Sequence, residues 1–235
     1  MMANFLRMLL GVALLPMCWG VVRAFYDSVI VAAGDSGGIT AESIALVGGM
    51  VAFVLCWMAV PHPVKTYVLG HELTHALWGL VFGAVPSKLR VSAAGGSVSL
   101  TKSNMLITLA PYFFPFYTFL VIVVALITSA FIRPLPWLPL WMFTVGFTWA
   151  FHALFTLETL SQRQPDVKLY GRIFSWVFIF LANVVLVLVF LAAVTSLSFA
   201  QLGGFLMNRV LDAYIGVGLS AVDAFKWVVS KCSRT

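Results

Sequence analysis

Two histidines four residues apart, with a glutamate directly after the first, interrupt an apolar run over 64–85: Gly70-His71-Glu72-Leu73-Thr74-His75-Ala76-Leu77-Trp78-Gly79. On a helix, positions i and i+4 share a face, so His71 and His75 can each direct a ring nitrogen at one metal ion. Glu72 can then reach a metal-bound water without ligating the metal itself. This H-E-x-x-H arrangement supplies two zinc ligands and a general base for hydrolysis at a carbonyl. A hydrolytic zinc site takes three protein ligands and keeps one position open, so a further donor must come from elsewhere in the chain. His62, between Pro61 and Pro63, lies too far back on the motif's own helix to close the site. His152, Glu158 and Asp166 stand as candidates. Asp166 also has a plain structural reading, because an acid just after Pro165 suits the first turn of a helix. For the motif as a whole, the non-catalytic alternative is a buried polar cluster or proton relay in a transporter or scaffold.

The elements that must position these groups are membrane helices. The chain of 235 residues is 62% hydrophobic and only 9% charged, too few charges for the surface of a water-soluble domain. The runs 104–132, 134–157 and 173–208 carry no charge at all, and about 20 apolar residues suffice to cross a bilayer. The expected fold is an all-α polytopic membrane protein of about six transmembrane helices, near 6–32, 42–60, 64–84, 104–131, 138–160 and 167–198. Pro61-His62-Pro63 breaks the second from the third. Arg23 and Asp27, near the end of the first span, are expected to snorkel or pair. Residues 35–38, Asp-Ser-Gly-Gly, mark a loop. A domain over 1–200 would carry the chemistry, with an amphipathic tail helix over 201–235 lying on the membrane surface. Arg7 followed by an apolar run resembles a signal peptide, but no clean small-x-small cleavage site follows, so a retained first span is expected.

Between the third and fourth spans, Leu89 and Val91 alternate with polar residues, as do Val98 and Leu100. Period-two alternation around Gly95-Gly96 predicts a β-hairpin. Its open edges cannot face lipid, so it must sit in protein, in a water-filled cavity or at the surface. Gly79 and Gly83 read as helix-packing positions. Cys18, Cys56 and Cys232 are widely spaced and form neither a disulfide framework nor a thiolate metal site. The net charge of +6 points to membrane-surface attraction, not to nucleic acid. Lys88, Arg90, Lys102, Arg163, Lys168 and Arg172 flank one set of loops, against Lys65 and Arg133 on the other. The positive-inside rule then places the hairpin in the cytoplasm.

HELTH in an apolar helix, a glycine-centred hairpin directly after it and Pro165-Asp166 at the start of a later span resemble the site-2 protease family of intramembrane zinc metalloproteases. The resemblance covers about residues 64–185 and is to compact members without a PDZ domain. It implies one Zn2+ per chain held by His71, His75 and Asp166, with Glu72 as catalytic base. It implies that the hairpin is a membrane-reentrant β-loop, with Gly95, Gly96, Ser97, Val98 and Ser99 binding substrate, and leaves His152 and Glu158 as auxiliary residues. The segment 110–118, APYFFPFYT, is similar to the family's proline-broken helix. The chain departs from the family pattern in having Val167 where a glycine follows the aspartate, and Gln162 or Gln164 where an asparagine precedes it. The implied activity is an intramembrane zinc endopeptidase acting on membrane proteins with a transmembrane helix. The implied setting is the lipid bilayer of a bacterial inner (cytoplasmic) membrane, with the active site toward the cytoplasmic side. The rival enzyme reading is a gluzincin-type membrane protease with Glu158 as third ligand.

Overall fold

The apolar runs fold as helices in the computed structural model, which describes residues 2–35, 40–162 and 164–232. Residues 36–38 of the expected loop, Arg163 and Arg234 lie outside the described residues. In chain order the elements are α1 (Met2–Ala13), α2 (Leu15–Asp35), α3 (Ala41–Ala59), α4 (Val64–Val81), β1 (Pro86–Ser92), β2 (Gly95–Leu100) and α5 (Met105–Leu109). A 3-10 turn (Ala110–Tyr112) leads on to α6 (Phe116–Phe131), α7 (Leu138–Ser161), α8 (Pro165–Leu169), α9 (Arg172–Val194) and α10 (Phe199–Cys232).

Five described helices are long and apolar enough to cross a membrane: residues 5–34, α3, α7, α9 and α10. A sixth span results if the bent pair Met105–Tyr112 and Phe116–Phe131 counts as one. The protein is therefore a helical membrane protein with one small sheet. The membership of the set differs from expectation. The motif helix α4 is not among the five, because His71, Glu72, His75 and Lys65 dilute its apolar content. The tail, expected over 201–235, is helical and continuous with the preceding residues in a 34-residue helix that is also long and apolar enough to cross a membrane. It starts at Phe199 because Ser198 and Gln201 close a reciprocal cap: the Ser198 amide donates to Gln201 Oε1 at 2.9 Å and the Gln201 amide to Ser198 Oγ at 3.2 Å.

The described residues pack as two compact units. One comprises residues 1–38 and 170–235. Within it α2 crosses α10 so closely that a Cβ on Gly20 would lie 2.6 Å from Val210 Cα. Asp27 receives a hydrogen bond from Arg209 Nε, which gives the acid inside the first span its partner. Val21, Leu188, Ala192, Leu197 and Leu202 form this unit's core.

The second unit, residues 39–169, carries the motif. Its tightest contact joins α3 and α7. A Cβ on Gly49 would lie 2.0 Å from the Phe143 carbonyl oxygen, and one on Gly146 2.0 Å from that of Leu46. Small residues let the two backbones touch, as is common between membrane helices. Phe53, Tyr67, Phe151 and Phe155 lock α4 onto this pair, with Tyr67 stacked on Phe155 at 4.7 Å. Gly83 is not a packing residue. It adopts φ +72° just beyond α4, where the Ala84 amide donates to the Gly79 carbonyl and the Gly83 amide to that of Leu80. That is a Schellman ending, which turns the chain out of the helix and into β1.

β1 and β2 pair antiparallel, with Pro86 opposite Leu100 and Ser92 opposite Gly95. The two-residue turn is Ala93-Ala94, and the glycines open β2. Gly96 is thus required by what lies beneath it, whereas Gly95, with open space at its Cβ position, is required by its φ of +134° beside the turn. Beyond the hairpin, Asn104 caps α5 through its side chain, and the chain bends by 85° between Tyr112 and Phe116. Pro115 sets this break, since it cannot continue the helix that precedes it.

Candidate metal centre

The helical spacing of His71 and His75 places both rings on one face of α4, and α8 brings Asp166 opposite them. Asp166 Oδ2 lies 3.7 Å from His71 Nε2 and 3.6 Å from His75 Nε2. One donor atom from each of the three residues lies within 4.8 Å of the others. A tetrahedral ion with bonds of about 2.0–2.1 Å holds neighbouring donors about 3.3 Å apart. The two histidine–aspartate separations therefore exceed the spacing such an ion requires by only a few tenths of an ångström. Two imidazoles and one carboxylate also form a donor set suited to zinc.

The surroundings prepare the donors. His75 Nδ1 lies 2.8 Å from the Ile107 carbonyl oxygen. A carbonyl can only accept, so this bond puts the proton on Nδ1 and leaves Nε2 with its lone pair free for a metal. Ile107 is the residue whose amide the Asn104 cap satisfies, so the capped turn is also what aims the carbonyl. Tyr112 is fully buried, and its hydroxyl donates to Asp166 Oδ2 at 3.2 Å. Burial opposes ionisation of Asp166. The adjacent imidazoles of His71 and His75 outweigh it and hold the carboxyl well below the usual carboxylate range, so the acid is available as an anionic donor.

Glu72 is 7% exposed and points beneath the hairpin. Gly96 rests directly on it: a Cβ there would lie 2.8 Å from Glu72 Cγ and 2.6 Å from Val68 Cγ1. The Val98 amide is within hydrogen-bonding reach of the Glu72 carboxylate. A cavity of about 800 Å3 opens here, lined by His71, Glu72, His75 and Asp166 on one side and by the start of β2 on the other. Its size is that of a pocket for a sizeable ligand.

Of the residues singled out from sequence, His71, Glu72, His75, Asp166, Gly95, Gly96, Ser97 and Val98 converge on this cavity. Ser99 does not line it; it pairs with Ser87 further along the hairpin. Glu158 lies at the rim with its Oε2 3.9 Å from His62 Nδ1, outside the three-residue donor group. His152 is buried near His71 and is likewise not part of that group. Tyr112 and the Ile107 carbonyl had no signal in the sequence beyond the capping Asn104 and the proline-rich stretch that position them. Comparison with family models, with curated proteins and with solved structures yields no match.

Proposed function

We propose that the protein is a membrane-embedded zinc endopeptidase that cleaves membrane proteins in or near a transmembrane segment. The observation that carries this reading is the convergence of His71, His75 and Asp166 at ligand spacing, beside a buried glutamate, under the edge of a strand. These are the residues that carry the resemblance to the site-2 protease family. Zinc held by the three would polarise a carbonyl and make water nucleophilic near neutral pH.

The rest is the work of the chain's own side chains. Glu72 is placed to take a proton from the attacking water and pass it to the leaving nitrogen. A helical substrate hides its carbonyls in its own hydrogen bonds and must be unwound before it can react. The outer edge of β2 can hold the unwound stretch by strand addition, and Gly96 and Val98 set that edge against Glu72. Tyr112 and the Ile107 carbonyl keep Asp166 and His75 oriented. The charge distribution of the loops supports a cytoplasmic-facing site in a bacterial inner membrane. Glu158, occupied with His62, is a poor alternative ligand.

Glu72→Gln tests the assignment. The amide cannot act as base, so cleavage of a reporter transmembrane substrate should fall by at least about 100-fold, with zinc still bound at one per chain. Retained cleavage in this variant would remove the protease reading.

A further inference from the structure

His71 lacks what His75 has. Its Nδ1 is buried and has no hydrogen-bond partner, and so is Nε2 of His152. Leaving a buried polar atom unpaired costs about 1–3 kcal/mol, and a ligating histidine ordinarily hands its second nitrogen to an acceptor. Both residues line the same small cavity behind α4, together with Thr74. The cavity measures about 20 Å3, and one water needs about 10–15 Å3 on this measure, with two to four polar partners. The Thr74 hydroxyl donates to the Gly70 carbonyl at 2.7 Å, which leaves its oxygen free to accept. His152 is only 7% exposed and comes from α7, on the far side of α4 from the hairpin.

We infer that His152 is the positioning residue for His71, acting through one internal water in this cavity. The bonds balance. His71 Nδ1–H donates to the water, and the water donates one hydrogen to His152 Nε2 and the other to Thr74 Oγ1. His71 then presents Nε2 with its lone pair toward Asp166 and His75, as the Ile107 carbonyl arranges for His75. Both orphaned imidazole nitrogens of the cavity are satisfied by a single molecule. His152 thereby acts on the metal centre without reaching it, and the α3–α7 pair becomes part of the site's support. The assignment rests on the proposed metal-ligand role of His71.

Three proteins separate the possibilities: wild type, His152→Gln, whose amide can still meet the water, and His152→Leu, which fills the space without a polar atom. Zinc affinity is read by competition with a chromophoric chelator in detergent. The expected result is near-wild-type affinity for His152→Gln and a loss of about 10–100-fold for His152→Leu. In parallel, nitrogen-15 histidine spectra of the metal-free proteins at mildly alkaline pH report the tautomer of His71. Wild type and His152→Gln should show the Nδ1–H form, and His152→Leu a mixture. Unchanged affinity and tautomer in His152→Leu would overturn the inference, as would equal losses in both variants, which mark a packing role only. Absence of zinc binding in all three, with the tautomer pattern as expected, would instead sink the zinc reading and leave the His71–His152 link standing.

Discussion

Gly96→Ala is the most informative single methyl group that can be added to this protein. The new Cβ would meet Val68 Cγ1 at 2.6 Å, Glu72 Cγ at 2.8 Å and the Arg90 carbonyl oxygen at 2.9 Å. Carbon atoms rest comfortably at about 3.5–4.0 Å, so roughly 1 Å of separation has to be found. Arg90 is held by its own pairing to Ser97, so relief must come from lifting β2 off α4 or rotating Glu72 aside. Either displaces Glu72 relative to His71, His75 and Asp166 by about that distance. Overpacking of this kind costs about 1–3 kcal/mol, and misplacing a catalytic group by 1 Å can cost about 100-fold in rate. The expected result is a 10- to 100-fold fall in kcat, on the order set by that misplacement, in a reconstituted assay with a transmembrane reporter. Zinc content should stay at the wild-type level, because His71, His75 and Asp166 are not touched. Gly95→Ala is the control: its Cβ would meet nothing within 4 Å, but its φ is +134°, so it adds backbone strain without pressing on Glu72. It should lower the unfolding temperature and change kcat by only a few-fold. A Gly96→Ala protein that cleaves at the wild-type rate would refute the claim that this glycine seats the hairpin on the base. One that loses zinc together with activity would refute the separation of base from ligands.

Asp166→Asn keeps the size of the side chain and removes the charge that faces both histidines. It should release zinc to a chelator that leaves wild type loaded, whereas Glu158→Gln should keep its metal; the reverse order would transfer the third-ligand role to Glu158. Gly146→Val forces a side chain into the Leu46 backbone, where even a Cβ would sit at 2.0 Å. Its unfolding temperature in detergent should drop sharply, for a loss of at least about 1–3 kcal/mol, and an unchanged value would mean that α3 and α7 are not held by backbone contact.

How much of this was legible beforehand depended on distance along the chain. His71, Glu72 and His75 are readable because helix period alone decides which residues share a face. The hairpin was readable from alternation, but the place of its turn was not. Gly95-Gly96 looks like a turn because glycine is usual there, whereas Gly96 answers to Val68 and Glu72 on another element. Gly83 was misread for the opposite reason: a small-residue spacing suggested packing, while the local hydrogen bonds show a helix ending. The membrane spans followed from composition, except where composition misleads. α4, expected as a span, holds too many polar groups to be among the helices apolar enough to cross a membrane, and the start of α10 is set by the Ser198–Gln201 cap. Asp166 stands among the candidates by its position and is singled out by the resemblance, since nothing within its own stretch says which way its carboxylate faces. Tyr112, 54 residues from Asp166, could not be read at all, because a buried tyrosine in an apolar segment is indistinguishable from core.

The bond between His75 and Ile107 bears on how this protein tolerates variation. Its acceptor is main chain, so no replacement at position 107 can delete it, and a mutational scan would score that position by size and hydrophobicity alone. The dependence is displaced onto Asn104, whose side chain captures the Ile107 amide, and onto the prolines that end the turn. The contact that orients His75 is thereby written in the sequence as a loop motif, several residues from the atom that makes it. Drift in the apolar segment is buffered, while the polar cap and the helix breaks are the fragile part.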